Sequence, residues 1–88
     1  MNKVYVIYWE EKYSDGSFSA GVFPSYYTSF SHANEAMYKA WEDDKERLMD
    51  CGVLEENIHN LTVTTQDSIT YDNYDEWIKY KIKEVEVV

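Results

Sequence analysis

Phe30-Ser31-His32-Ala33-Asn34-Glu35-Ala36-Met37-Tyr38-Lys39-Ala40-Trp41-Glu42-Asp43-Asp44-Lys45-Glu46-Arg47-Leu48-Met49-Asp50-Cys51-Gly52 is the stretch that decides the fold. Ala33, Ala36, Met37, Ala40, Trp41, Leu48 and Cys51 recur at helical spacing and form one apolar stripe. Ser31 is a candidate N-cap, and Phe30 before it can staple onto the first turns. Gly52 stands where a C′ glycine closes a helix. The spacing predicts a helix from about residue 32 to residue 50 or 51.

On the N-terminal side, Val4 to Trp9 reads as a strand, rich in β-branched and aromatic residues. Val4, Val6 and Tyr8 share one face, and Tyr5, Ile7 and Trp9 share the other. Both faces are apolar, which predicts a central strand covered at least in part on both sides. Ser14-Asp15-Gly16 marks a turn. Phe18 to Phe23 then reads as the second strand of a hairpin, ended by Pro24. Gly21 marks a bulge or a close approach.

On the C-terminal side, Val53 to Asn60 reads as a connection with room for one helical turn at Leu54–Asn57. Leu61 to Thr65 reads as a short strand with Leu61 and Val63 inward, and Ile69 with Tyr71 adds a brief one. The segment 74–85 admits two readings. Ile78, Tyr80 and Ile82 alternate with Lys79, Lys81 and Lys83, which is strand periodicity. Val85 and Val87 then fall out of phase, and a bulge near Lys83–Glu84 would restore one face. A helix through Tyr74, Trp77, Ile78, Ile82 and Val85 is the rival. The β-branched and aromatic content favours the strand. The plan is a single α+β domain over residues 1–88, ordered β-β-α-β-β, with a mostly antiparallel sheet and one long helix on one face.

Seventeen Asp and Glu stand against eight Lys and Arg, for a net charge of −9 on 88 residues. Apolar residues make up 44% and aromatics 17%, which separates the chain from a disordered acidic tail. A domain of this size buries about 60% of its unfolded surface, so its core is modest. The single Cys51 excludes an internal disulfide and fits a reducing, cytoplasmic setting. The start, Met1 to Trp9, lacks the cleavage site of a signal peptide. No apolar run approaches the ~20 residues of a membrane span. The charge disfavours nucleic acid and anionic membrane as direct partners and favours a basic protein surface.

The acids are clustered. Glu35, Glu42, Asp43, Glu46 and Asp50 lie opposite the apolar stripe of the helix. Glu42, Glu46 and Asp50 are successive i, i+4 neighbours of like charge, each pair destabilising by about 0.2–0.5 kcal/mol. Asp50 also meets the negative end of the helix dipole. Four helical residues rise about 6 Å, a pitch on the scale of neighbouring phosphates along a nucleic-acid strand. The plain alternative is a solvated face with local pairs to Lys39 and Lys45. Glu55 and Glu56 extend the cluster, and Asp67, Asp72, Asp75 and Glu76 form a second one among Tyr71, Tyr74 and Trp77. Acids that steer and rings that supply contact area suit a basic, partly apolar groove. The candidate partner-binding set is therefore Glu42, Asp43, Glu46, Asp50, Glu55, Glu56, Asp67, Asp72, Tyr74, Asp75 and Glu76.

Other residues read more plainly. Asp44 falls inside the apolar stripe between Trp41 and Leu48. Either the helix has run past the sheet edge and leaves it in water, the expectation here, or it is a buried carboxylate with a raised pKa. Glu10 and Glu11 read as ordinary solvation. Lys79, Lys81 and Lys83 read as protection of a sheet edge, or as a row that pairs with acids of a second copy. Cys51 reads as a small buried filler and His32 as a surface residue. His32, His59 and Cys51 lack zinc-ligand spacing, and the acids lack the spacing of a calcium loop. No phosphate loop or nucleophile elbow occurs, so no catalytic residue, metal or cofactor is expected.

Small size, strong acidity, dense Tyr and Trp, one Cys and a compact hairpin–helix–strand plan resemble small phage-encoded proteins that block host or defence enzymes. Uracil-DNA glycosylase inhibitors and acidic anti-CRISPR proteins are among these. The resemblance spans the whole chain in character and rests on size, charge and plan, not on a motif. Lys3-Val4-Tyr5-Val6-Ile7-Tyr8 and the helix entry from Phe30 also resemble many small β-β-α-β proteins of phages and bacteria. The resemblance implies a non-enzymatic inhibitor that mimics nucleic-acid charge and occupies a basic groove of a nucleic-acid enzyme. The competing expectation is a structural or self-assembling domain, a homodimer through an aromatic sheet face, with acidity serving solubility.

Overall fold

Alternation along the strands organises the molecule, a computed structural model that describes residues 2–87. The elements run β1 (Asn2–Lys12), β2 (Phe18–Val22), α1 (Phe30–Asp50), α2 (Glu55–Asn60), β3 (Thr62–Thr64), β4 (Ser68–Asn73) and β5 (Glu76–Val87). The strands form one antiparallel sheet in the order β2-β1-β5-β4-β3. The fold is α+β, with one long helix on one face, as the periodicity predicts. The connection before β3 carries a six-residue helix, longer than the single turn expected.

Partners across the sheet keep one parity. Ile7 pairs Ile82, Trp9 pairs Tyr80, and Tyr80 pairs Ile69. With Tyr71 and Ile78 these residues face α1, whose Ala33, Met37, Trp41 and Leu48 complete the core. Ile7, Ala33, Met37, Ile69 and Tyr71 are fully buried. Trp41 stacks at a tilt on Tyr71, with ring centroids 5.9 Å apart. Ile58 of α2 closes the core beside β3 and β4.

The residues 74–85 are not helical. Tyr74 and Asp75 form a two-residue turn, with Tyr74 at a left-handed φ of 57°, and β5 follows without interruption. The register against β1 runs unbroken from Lys12↔Trp77 to Asn2↔Val87, so the expected bulge at Lys83–Glu84 does not form. Beyond the helix, nothing obliges the apolar residues to stay on the core face. Val85 and Val87 sit exposed on the other one.

The helix starts two residues earlier than predicted. Ser29, not Ser31, is the N-cap, and its Oγ accepts from the His32 N–H at 3.3 Å. Phe30 therefore lies inside the first turn, edge-on to Tyr5 at 5.8 Å. The other end follows expectation. Gly52 has φ 97°, its N–H donates to the Met49 carbonyl, and Val53 N–H donates to Leu48. That is a Schellman closure.

Two smaller expectations are corrected, and at Gly21 the close approach is the alternative that holds. Val63 is 65% exposed rather than inward, because Thr62 and Thr64 of the three-residue β3 take the helix-facing positions. Cys51, beyond the last turn, is exposed rather than a buried filler. Gly21 makes no bulge; a Cβ there would stand 2.9 Å from the Trp9 ring. Gly21→Ala should accordingly displace that indole and lower stability by about 1–3 kcal/mol. The urea midpoint checks this; an unchanged midpoint would show that the ring does not need the bare backbone beneath it.

Candidate functional site

Two polar systems stand out, one enclosed and one exposed. The enclosed system lies between α1 and the sheet. Glu11 follows Tyr5, Ile7 and Trp9 at period two, so β1 points its carboxylate toward the helix, where it is buried. Asp44 comes down from α1 beside it, its side chain 13% exposed. Arg47, one turn on, reaches both, at 3.0 Å from Asp44 Oδ1 and 3.6 Å from Glu11 Oε1. The Tyr80 hydroxyl donates to Asp44 Oδ2, and the Tyr13 hydroxyl donates to Glu11 Oε2 at 2.5 Å.

Asp44 is thus not in water, and Glu11 is not an ordinary solvated acid. Burial pushes the Asp44 carboxyl above its ordinary pKa, outweighing the Tyr80 hydrogen bond and the Arg47 charge, which lower it. Burial, then the bond to Asp44, raises the Tyr80 hydroxyl and keeps it a neutral donor. The Glu11 signal was legible as a period-two continuation of the apolar face, but an acid at a core position is discounted unless a partner is in view. Chemically, the cluster ties the last turns of α1 to β1 and β5. Concavities of about 810 Å³ near Tyr5 and Tyr26 and about 560 Å³ between the two helices exclude Glu11, Asp44 and Arg47 from their walls.

The exposed system is the charge distribution. Glu42, Asp43, Glu46 and Asp50 all lie exposed on α1, with Lys45 pairing Glu42 at 3.2 Å. Glu55 and Glu56 of α2 are exposed and line the same groove as Trp41 and Lys45. These six acids therefore belong to one helical side of the molecule.

The second acidic cluster does not form a single patch. Asp67 lies just before β4, where its carbonyl accepts from Ile82 N–H and its carboxylate from the Thr65 hydroxyl. Tyr74 and Asp75 turn the chain at the far end of that six-residue strand, about 20 Å away. Tyr74 is 88% exposed. Glu76 shares the helix-facing parity of Ile78, whereas Asp72, opposite Trp77, points to the uncovered sheet face. The Tyr74–Asp75 turn does share an end of the molecule with the last turns of α1. Glu11, held by Arg47, lies opposite Ile78, two residues into β5.

The uncovered face carries the opposite charge. Lys12, Lys79, Lys81 and Lys83 lie there, half of the chain's Lys and Arg, with only Glu10 and Asp72 as acids. Around them are Val4, Val6, Tyr8, Phe18, Val22, Val63 and Trp77. Lys79 Nζ sits 4.4 Å from the Trp77 ring centroid and Lys83 Nζ 4.9 Å from that of Tyr8. Edge protection is excluded as their role, because β5 is the central strand. The other fifteen acids lie on the helix-bearing side, in turns or at strand ends.

No family model matches the chain, and neither a curated protein nor a solved structure does. Among the described residues no helix is long and apolar enough to cross a membrane.

The enclosed cluster makes a pH-resolved prediction. Asp44→Ala strands the Tyr80 hydroxyl and should cost about 1–3 kcal/mol, whereas Asp44→Asn keeps an acceptor and should stay within about 1 kcal/mol of wild type at pH 7. The folded wild type takes up a proton at Asp44 at a higher pH than the unfolded chain does. Its stability relative to Asp44→Asn should therefore rise as pH falls through the raised pKa. Urea midpoints at neutral and mildly acidic pH measure this, and a pH-independent gap would contradict a desolvated carboxyl.

Proposed function

We propose that this protein is a non-enzymatic inhibitor. It presents its helical side to a basic nucleic-acid groove of a host or defence enzyme and excludes the nucleic acid by charge. The observation that carries the reading is the exposed row Glu42, Glu46 and Asp50 on α1, joined by Glu55 and Glu56 of α2. The row is placed against the stability of its own helix, by like-charge neighbours and by the dipole at Asp50. The Glu11–Asp44–Arg47–Tyr80 cluster anchors the end of the helix that bears it. Exposed Tyr74, at the same end, supplies a rigid aromatic contact of the type that concentrates binding energy. Asp75 and Glu76 flank it. Asp67 and Asp72 lie away from this side and take no part.

A homodimer through the aromatic sheet face is disfavoured. Two such faces brought together on a two-fold axis would set rows of Lys79, Lys81 and Lys83 against each other, and like charges at an interface are repelled.

Coulomb attraction to a basic groove implies strong salt dependence. Titration into nucleic-acid enzymes with basic channels should show competition with DNA or RNA and an affinity that falls steeply as ionic strength rises. Glu42→Lys, Glu46→Lys and Asp50→Lys together should weaken binding by on the order of 100-fold while circular dichroism keeps the folded signature. Salt-independent binding, or a triple variant that still competes, would refute charge mimicry.

A further inference from the structure

Lys79, Lys81 and Lys83 occupy every second position of the central strand, on the face that α1 does not cover. An exposed central strand with three cations in a row is an unusual use of the position best suited to apolar residues. Among the described residues, no carboxylate lies within ion-pair distance of Lys12, Lys79, Lys81 or Lys83, nor of Lys39 on α1, whereas Lys3, Lys45 and Arg47 are paired. The surface between the lysines is not flat. A shallow depression of about 260 Å³ opens where Ser68 and Thr70 of β4 are short beside Tyr8, Lys79 and Lys81, with Glu10 the one acid on its wall.

We infer that this face docks the α1 side of a second copy of the same chain, Lys79, Lys81 and Lys83 of one copy receiving Glu42, Glu46 and Asp50 of the next. The two rows match in pitch. Carboxylates four helical residues apart recur at about 6 Å, and lysines two strand residues apart at about 6.7 Å. Over three positions the mismatch accumulates to about 1.4 Å, which flexible lysine stems absorb. Apolar surface accompanies the charges on both sides. Exposed Met49 and Leu54 adjoin the acid row, and Phe18, Val22 and Val63 adjoin the lysines. Docking of a helix on the open face also completes a three-layer arrangement, with each sheet covered twice.

The two surfaces are different, so the contact is heterologous. It leaves a free acid row at one end and a free lysine face at the other, and repeats into a ring or an open array instead of stopping at two. Both copies carry a net charge of −9. At physiological ionic strength the screening length is about 8 Å, shorter than the molecule's smallest extent of 18 Å. Contact pairs then outweigh the repulsion between whole molecules. Association is therefore strongest at intermediate salt, weaker in very low salt where like charge is unscreened, and weaker again in high salt.

Sedimentation velocity on the full chain, from micromolar to millimolar concentration, tests the inference with two triple variants. One carries Lys79→Glu, Lys81→Glu and Lys83→Glu; the other carries Glu42→Lys, Glu46→Lys and Asp50→Lys. Wild type should gain mass with concentration past the dimer. Each variant alone should remain monomeric, with at least a tenfold weaker association. An equimolar mixture should recover wild-type assembly, since each altered face then meets its complement. A variant with Asp15→Lys, Asp75→Lys and Glu86→Lys has the same net charge as the helix variant but keeps both rows, so alone it should assemble as wild type does; a monomeric control would show that net charge, not the rows, governs association. A wild type that stays monomeric at millimolar concentration, a dimer that survives lysine reversal, or a mixture that fails to assemble would each overturn it. Capture of a polyanion by the lysine face without self-association would also overturn it. The lysine variant keeps its acid row, so its competition at a basic groove reports on the inhibitor reading separately.

Discussion

A sheet of five strands spans about 19 Å between its edge strands, and a helix with its side chains is about 10–12 Å across. The chain supplies one long helix, α1, of 21 residues. It can cover the middle of one face and nothing of the other. That geometric shortage organises the rest of the molecule. Every strand residue of one parity is drawn toward α1, and every residue of the other parity must meet solvent or a partner. β5 shows the consequence most clearly: Ile78, Tyr80 and Ile82 are buried, while Lys79, Lys81 and Lys83 between them are exposed. An alternation that serves folding thereby separates charge. Cations collect on the open sheet face, and acids on the helical side, in turns and at strand ends.

The Glu11–Asp44–Arg47–Tyr80 cluster is where this separation is breached, and it is satisfied locally. Two carboxylates at core-facing positions are held by one guanidinium and two tyrosine hydroxyls. Burying them unpaired would cost several kcal/mol. Arranged as they are, they fix the C-terminal half of α1 over β1 and β5. The same segment carries Glu42, Glu46 and Asp50 outward, so the position of the exposed acid row depends on the enclosed one.

Much of this was legible in the sequence, and the remainder has identifiable physical causes. The apolar stripe of α1 and the glycine at residue 52 set the helix and its end, because both act locally. The helix start is not legible because Ser29 and Ser31 are equally good caps by chemistry, and only the packing of Phe30 on Tyr5 selects between them. Val63 and Val85 were drawn inward by hydrophobicity alone; tertiary register overrode it, since β3 is three residues long and β5 outlasts the helix. The role of Lys79, Lys81 and Lys83 turned on strand order, which no local pattern encodes. Of the candidate acids, those on α1 and α2 fall on one side because helical periodicity carries them there. Asp67 and Asp75 are parted by the length of a strand that the sequence showed only as a brief one.

A protein with a net charge of −9 is expected to look negative from every direction. This one does not: one face is cationic and aromatic, and the opposite side is anionic and helical. Site-resolved NMR relaxation enhancement by small nitroxide probes of opposite charge reads the near-surface potential directly. The anionic probe should favour protons of Lys79, Lys81, Lys83 and their β1 neighbours, and the cationic probe those of Glu42, Glu46, Asp50 and α2. Stronger enhancement by the cationic probe at both surfaces would contradict this separation of charge.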